Sequence, residues 1–273
     1  MARKLRKCLN RRTLFLIGVG VLVCFLSLVL VQAMFFPKHD LYVLMYHHVV
    51  EDGEECNDMT VTISRLKKDL YWMKAHGYQT VLPRELAAGE PLPERAVMIT
   101  FDDGYLSNYE LLYPALQTEQ MKAVISVITC MPDRDDEHYI DWEMCREMTE
   151  SGLVEIGSHT YALHNLDTKG LVISDGVNGI QRAPNESYES FQARVLDDIQ
   201  KSYDLIAENV GQAPTFFAYP FGVTERSALA LINALFPVTA LTQDGIAQVG
   251  SDFHGLPRFR VTMATGMDSF LPP

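Results

Sequence analysis

From residue 41 to residue 241 short apolar runs alternate with longer stretches in which apolar residues recur every three or four positions. The runs are Leu41–Met45, Thr80–Leu82, Ala96–Phe101, Ala123–Ile128, Val154–Ile156, Thr215–Ala218 and Val238–Leu241. Between them lie the helical patterns Ile63–His76, Asn108–Glu119, Trp142–Ser151, Tyr188–Val210 and Glu225–Leu235. Strands that are apolar without alternation are covered on both faces, and amphipathic helices supply the covers. Six or seven such units in about 230 residues predict an α/β fold, a distorted or incomplete (β/α) barrel. Leu166–Pro184 breaks the rhythm. It is rich in Gly, Asp and Asn and reads as a long loop, of the kind that is usually functional or mobile.

The front of the chain follows another pattern. Leu14–Phe36 carries no charge, and Gln32 is its most polar residue. A helix of that length crosses roughly 30 Å of hydrocarbon with modest tilt. Arg3, Lys4, Arg6, Lys7, Arg11 and Arg12 precede it, which favours a cytoplasmic N-terminus. The expected organisation is a basic cytoplasmic segment (1–13), a single N-terminal transmembrane helix (14–36) and an extracellular domain (37–273), at the cell membrane. A cleaved signal peptide is the alternative, but the run exceeds the usual apolar length and no small-x-small site follows it.

Composition adds two exclusions. Of 23 basic residues, six precede the apolar run, so the remainder is strongly acidic against 35 Asp and Glu. Such a domain repels phosphates, which argues against nucleic acid and favours a neutral or partly cationic polymer. Cys56, Cys130 and Cys145 follow the apolar run, without CxxC spacing, so no thiolate zinc site is expected. Buried free thiols are the preferred reading of Cys130 and Cys145 over a disulfide.

Four apolar runs end in chemically capable residues. They lead into Tyr46-His47-His48, Asp102-Asp103-Gly104-Tyr105, Gly157-Ser158-His159 with His164 beyond, and Tyr219-Pro220-Phe221-Gly222. In a parallel barrel the C-terminal strand ends converge on one face, where catalytic groups sit. Two adjacent carboxylates after an apolar strand are costly to desolvate without compensation. An Asp-Gly turn with one capping carboxylate explains one of them. A bound cation would accept one and leave the other for proton transfer. His159 and His164 are natural co-ligands: two imidazoles and a carboxylate suit Zn²⁺, and also Co²⁺, Ni²⁺ or Fe²⁺, and leave positions open for substrate. Five apart, the pair converges only across a strand-to-loop turn.

Thr100-Phe101-Asp102-Asp103-Gly104-Tyr105 resembles the TFDDG signature of the polysaccharide deacetylases, carbohydrate esterase family four, whose domain is also called the NodB-homology domain. Ser158-His159-Thr160 through His164 resembles that family's second motif, and Phe217-Ala218-Tyr219-Pro220-Phe221-Gly222 its third, one side of the substrate groove. The resemblance covers Leu41 to about Leu271. It implies a metal-dependent hydrolase that removes N-acetyl groups from an extracellular N-acetylglucosamine polymer, peptidoglycan or an exopolysaccharide. It also implies one divalent ion, Zn²⁺ with Co²⁺ or Ni²⁺ as alternatives, held by Asp103, His159 and His164. Asp102 would be the general base, and a backbone N–H near Tyr219 would help the metal stabilise the oxyanion. Tyr219, Pro220, Phe221 and Arg258 would border the substrate.

Two features depart from the common family pattern. Many members place the two histidines four apart; here Thr160-Tyr161-Ala162-Leu163 intervene, as in the branch containing poly-N-acetylglucosamine deacetylases. The late Leu-x-His motif that supplies the general acid is not evident, His254 standing in a different context. In the same branch an early Tyr-His motif takes over, which assigns the acid to His47; a histidine that orients a carboxylate is the competing account. Arg258 resembles a late family arginine and would orient Asp102 by a bidentate pair, or else serve packing alone. Trp142, Tyr161 and Phe221 are candidates either to stack on sugar or to form core and groove wall. An O-acetyl esterase and a catalytically inactive wall-binding module remain alternative functions.

Overall fold

The computed structural model describes residues 17–23, 27, 39–134, 136–164, 180–250 and 252–273. Of the proposed anchor at 14–36 only residues 17–23 and 27 are described, and most of the Leu166–Pro184 loop lies outside the described residues. Among the described residues no helix is long and apolar enough to cross a membrane.

The strands, in chain order, are β1 (His39–Tyr46), β2 (His48–Val50), β3 (Thr60–Thr62), β4 (Gln79–Thr80), β5 (Ala96–Asp103), β6 (Ala123–Val127), β7 (Val154–Ser158), β8 (Phe216–Ala218), β9 (Val238–Ala240), β10 (Ala247–Val249) and β11 (Phe259–Arg260). The main sheet runs β10-β1-β5-β6-β7-β8-β9, and short β11 and β4 pair with β1 and β5. Pairing is parallel from β1 through β9, as expected of strands separated by helices. Among the described residues no regular strand follows β9 in the sheet order. Instead Thr239 N–H donates to Phe253 O at 3.0 Å and Leu256 N–H to Thr239 O at 2.8 Å. The chain that pairs with β1 at β10 thus reaches the β9 edge a few residues later. The sheet curls into a barrel completed by irregular backbone, the distorted barrel that the pattern predicts.

Side chains sort by alternation. Leu41 and Val43 of β1, Ala96 and Met98 of β5, Val124, Phe216, Ala218, Val238 and Ala240 meet in one apolar cluster inside the curl. Their alternates, among them Tyr42, Leu44, Val97, Ile99, Phe101, Ile125 and Ile156, pack outward on Leu66, Leu70 and Met73 of the helix Ile63–Ala75, Leu116, and Met148 of the helix Trp142–Glu150. A third cluster joins Phe217 to Phe191, Val195 and Ile199 of the helix Tyr188–Val210 and to Ile232 of the helix Arg226–Leu235.

Three departures from the sequence reading have local causes. The pattern Asn108–Glu119 is a π-turn at Asn108–Leu112 followed by an α-helix at Tyr113–Glu119. Pro114 has no N–H to give to the carbonyl four residues back, which breaks the regular ladder there. β2, β3, β10 and β11 are two or three residues long, too short to show a period. β5 continues through both aspartates instead of stopping at Phe101. Cys130 and Cys145 are buried free thiols, as preferred.

Candidate metal and catalytic site

Along the inner face of β5 the side chains run Ala96, Met98, Thr100, Asp102, from apolar to charged toward the C-terminal end. Strict alternation would send the next residue, Asp103, to the helix side. It does not, because Asp103 adopts a left-handed backbone with φ 74°, followed by Gly104 at φ 79°. A non-glycine residue there costs about 1–2 kcal/mol, and such strain collects at functional sites. The turn brings both carboxylates to one place. Gly104 is required twice over, since a Cβ would lie 2.9 Å from Val127 Cγ1.

Asp103 Oδ1 lies 3.5 Å from His159 Nε2 and 3.5 Å from His164 Nε2. The three donor atoms lie within 4.8 Å of one another and all three residues are buried. Asp103 Oδ1 is itself buried and, among the described residues, accepts no hydrogen bond. A buried carboxylate oxygen without a donor, facing two imidazole nitrogens, is a poor structural arrangement and a good cation site. His159 Nδ1 sits 2.8 Å from Ala218 O, so it carries the proton and its Nε2 lone pair points at the cluster. Burial, reinforced by the neighbouring His159, pushes His164 down to about 4, which leaves it neutral at physiological pH, as a ligand has to be. The residues fit a divalent ion by donor type, protonation and burial.

Asp102 has a different partner. Arg258 Nη1 donates to Oδ1 at 2.8 Å and Nη2 to Oδ2 at 2.7 Å, the bidentate fork. The same guanidinium donates to Thr100 Oγ1 at 3.0 Å and, through Nε, to Leu241 O at 2.7 Å. Burial pushes the Asp102 carboxyl up, but Arg258, His159 and His47 together hold it well below the usual range. Asp102 is therefore ionised throughout the physiological range. His47 Nε2 lies 4.0 Å from Asp102 Oδ2, and burial lowers its own pKa. Asn108 Nδ2 donates to the His47 carbonyl at 3.1 Å and fixes that segment.

Breaking a buried pair costs more than removing it whole. Arg258→Met should therefore destabilise the fold by about 3–5 kcal/mol, whereas Asp102→Leu combined with Arg258→Met should recover most of that loss. Urea unfolding of the two variants checks this.

The third motif divides. Tyr219 is fully buried among Phe217, Phe236 and Ile232, and Pro220 is buried as well. The Tyr219 side chain faces core, and its N–H already donates to Ala240 O at 3.0 Å, so an oxyanion donor here has to be another group. Phe221 differs: it is 54% exposed, left-handed at φ 57°, with its ring 4.6 Å from that of His164. It alone of the three offers a face beside the ligands. Arg258 is fully buried, and its guanidinium is committed to Asp102, Thr100 and Leu241 within the protein. Trp142 is buried, with Nε1 donating to Asp133. The Tyr161 ring lies under Lys201 Nζ at 3.7 Å. His254 is exposed, bonded to Asp252, and among the described residues takes no part in the contacts of Asp102 or Asp103.

Sequence reasoning missed two contributors on the helix Tyr188–Val210. Asp198 accepts the N–H groups of Tyr161 and Ala162, and Ser202 bonds Ser158 Oγ at 2.6 Å. Their signal was present: both stand on the buried stripe Phe191, Val195, Ile199, Ile206, where a polar residue needs a partner.

Comparison with known proteins identifies relatives and a shared fold. The chain is 26% identical over 258 residues to the poly-β-1,6-N-acetyl-D-glucosamine N-deacetylase of Escherichia coli (strain K12), covering 86% of this chain but only 38% of that relative's length. It is 25% identical over 218 residues to the enzyme of the same name from Staphylococcus aureus, covering 77% and 70% of the two chains. The fold matches a solved de-N-acetylase from Aggregatibacter actinomycetemcomitans with a TM-score of 0.73 at 24% identity, over 85% of this chain and all of that one. The sequence profile of the polysaccharide deacetylases matches residues 89–236, from before β5 to just past the helix Arg226–Leu235. The chain belongs to the polysaccharide deacetylase family.

Proposed function

We propose that this chain is a metal-dependent N-deacetylase acting on an N-acetylglucosamine polymer, an exopolysaccharide of the poly-β-1,6-linked kind in preference to peptidoglycan. The observation that carries the proposal is the pairing of two sites at one strand end. Asp103, His159 and His164 converge, while the adjacent Asp102 stays ionised and apart on Arg258. An inactive binding module has no use for a buried carboxylate oriented by a buried arginine beside such a cluster. The names of the Escherichia coli and Staphylococcus aureus relatives favour the polymer.

Asp103 Oδ1 and the Nε2 atoms of His159 and His164 would hold one divalent ion, with Zn²⁺ best matched and Co²⁺ or Ni²⁺ as alternatives. Such an ion supplies Lewis acidity at an acyl oxygen and makes water a competent nucleophile near neutral pH. The chain's own residues handle the proton and the sugar. Asp102, fixed by the Arg258 fork, takes the proton that the attacking water sheds as its oxygen bonds to the acetyl carbon. Its depressed affinity for that proton favours onward transfer to His47 Nε2, 4.0 Å away and neutral through burial. His47 then protonates the nitrogen as the C–N bond breaks, leaving acetate and a free amine. Phe221 offers an exposed aromatic face to the sugar ring.

His47→Ala should slow N-acetyl substrates by about 10²-fold or more and an activated acetate ester far less, because an amine leaves only when protonated and a phenolate does not. Equal loss on both substrates would remove the acid role.

The apolar run 14–36 behind six basic residues supports an extracellular domain tethered by an uncleaved helix. Fractionation of cells with protease added outside tests this: the domain should be membrane-bound and digested in intact cells.

A further inference from the structure

Four residues separate the two histidines; the carbonyls of Thr160 and Tyr161 accept the N–H groups of Thr129 and Cys130, and the N–H groups of the turn go to side chains. Thr160 N–H donates to Ser158 Oγ at 3.2 Å, Tyr161 N–H to Asp198 Oδ1 at 2.8 Å, Ala162 N–H to Asp198 Oδ2 at 2.9 Å, and Leu163 N–H to Thr160 Oγ1 at 3.2 Å. Thr160 is left-handed at φ 73°, so the turn is strained as well as closed. Asp198 belongs to a different element, the middle of the helix Tyr188–Val210, and is only 7% exposed. One turn further along the same face, Ser202 holds Ser158 Oγ, the acceptor for Thr160.

The two ligands differ in what orients their rings. His159 Nδ1 is held by the Ala218 carbonyl at 2.8 Å. His164 Nδ1 is buried and, among the described residues, has no hydrogen-bond partner. A ligating histidine usually takes its orientation from a partner on its second nitrogen. His164 lacks that support, so its position depends on the turn that delivers it.

We propose that Asp198 is a positioning residue for the metal site, replacing the missing partner of His164 by gripping the turn between the two ligands. The inference rests on the reading of Asp103, His159 and His164 as a cation site. Asp198 touches neither the ion nor the substrate. Its two oxygens match two consecutive N–H donors, and an amide in its place offers one acceptor and turns an N–H₂ toward the other donor. The face built from Asp198 and Ser202 thus sets where Nε2 of His164 stands relative to Asp103 and His159.

Titration of the full-length apoprotein with Co²⁺ tests this, reading the visible absorption of the bound ion and its affinity against a competing chelator, with Zn²⁺ displacing it afterwards. Asp198→Asn should weaken Co²⁺ and Zn²⁺ binding roughly 10–100-fold and alter the Co²⁺ spectrum, because the donor geometry changes. Ser202→Ala should do the same to a smaller degree, and it carries the comparison if Asp198→Asn does not fold. Unchanged affinity and spectrum in the folded variants, with only a lower unfolding temperature, would overturn the positioning role and leave a structural one. A wild-type chain that binds neither ion would overturn the site reading itself, a separately visible result.

Discussion

Asp103→Ala is expected to abolish both stoichiometric metal binding and deacetylation while leaving the barrel folded. Asp103 Oδ1 is buried, accepts no hydrogen bond among the described residues and lies 3.5 Å from both imidazoles, so the donor that the substitution strands is the Tyr105 hydroxyl, which bonds the same carboxylate. The substitution relieves strain only in part, since alanine at φ 74° is also disfavoured. Loss of the ion removes several kcal/mol of stabilisation from the transition state, roughly 10³-fold or more in rate. Metal content by atomic emission and acetate release, measured on one preparation, check the two halves. His159→Ala should behave in the same way and additionally leave the Ala218 carbonyl without its donor. Stoichiometric metal retained in either variant would refute the ligand set.

Asp102→Asn separates the two aspartates. Its carboxylate bonds Arg258 and lies outside the cluster of ligands, so metal binding should persist within a few-fold. Turnover should fall by about 10²–10⁴-fold, because an amide cannot take the proton from water. Arg258 would also lose its counter-charge in a fully buried position, so a lower unfolding temperature should accompany the loss. Comparing metal stoichiometry, turnover and unfolding temperature in Asp102→Asn and Asp103→Ala distinguishes base from ligand. Normal turnover by the Asp102→Asn variant would move the proton-accepting role elsewhere, with His47 the nearest candidate.

The barrel was legible in the sequence because its strands are apolar on both faces and its helices are long enough to show a period. Seven apolar runs correspond to strands in the main sheet, most within one or two residues of their observed ends. The site was legible because parallel strands deliver their ends to one face. The runs ending at Asp102-Asp103 and before His159 are neighbours of β6 on either side. What the sequence hid was conformational or distant. Alternation predicts opposite directions for Asp102 and Asp103, and only the left-handed φ at Asp103 reconciles them. Arg258 lies 156 residues from Asp102, and its choice between packing and pairing was settled by the fork itself. The third motif misled in part, because a motif does not say which of its side chains point inward: Tyr219 fills core and Phe221 stands out. Asp198 and Ser202 were readable in principle as polar residues on an apolar helical stripe, but their partners lie in a turn that carries no period.

Acetate release from N-acetylglucosamine oligomers tests the central claim most directly. The purified chain would be stripped of metal, reloaded with Zn²⁺, Co²⁺ or Ni²⁺, and given β-1,6-linked oligomers, with an activated acetate ester in parallel. Acetate released from the oligomers only after reloading, and lost in Asp102→Asn, is the predicted result. Ester cleavage without acetate from any oligomer would make the chain an O-acetyl esterase. Release from neither substrate by protein with its full complement of metal would contradict the account.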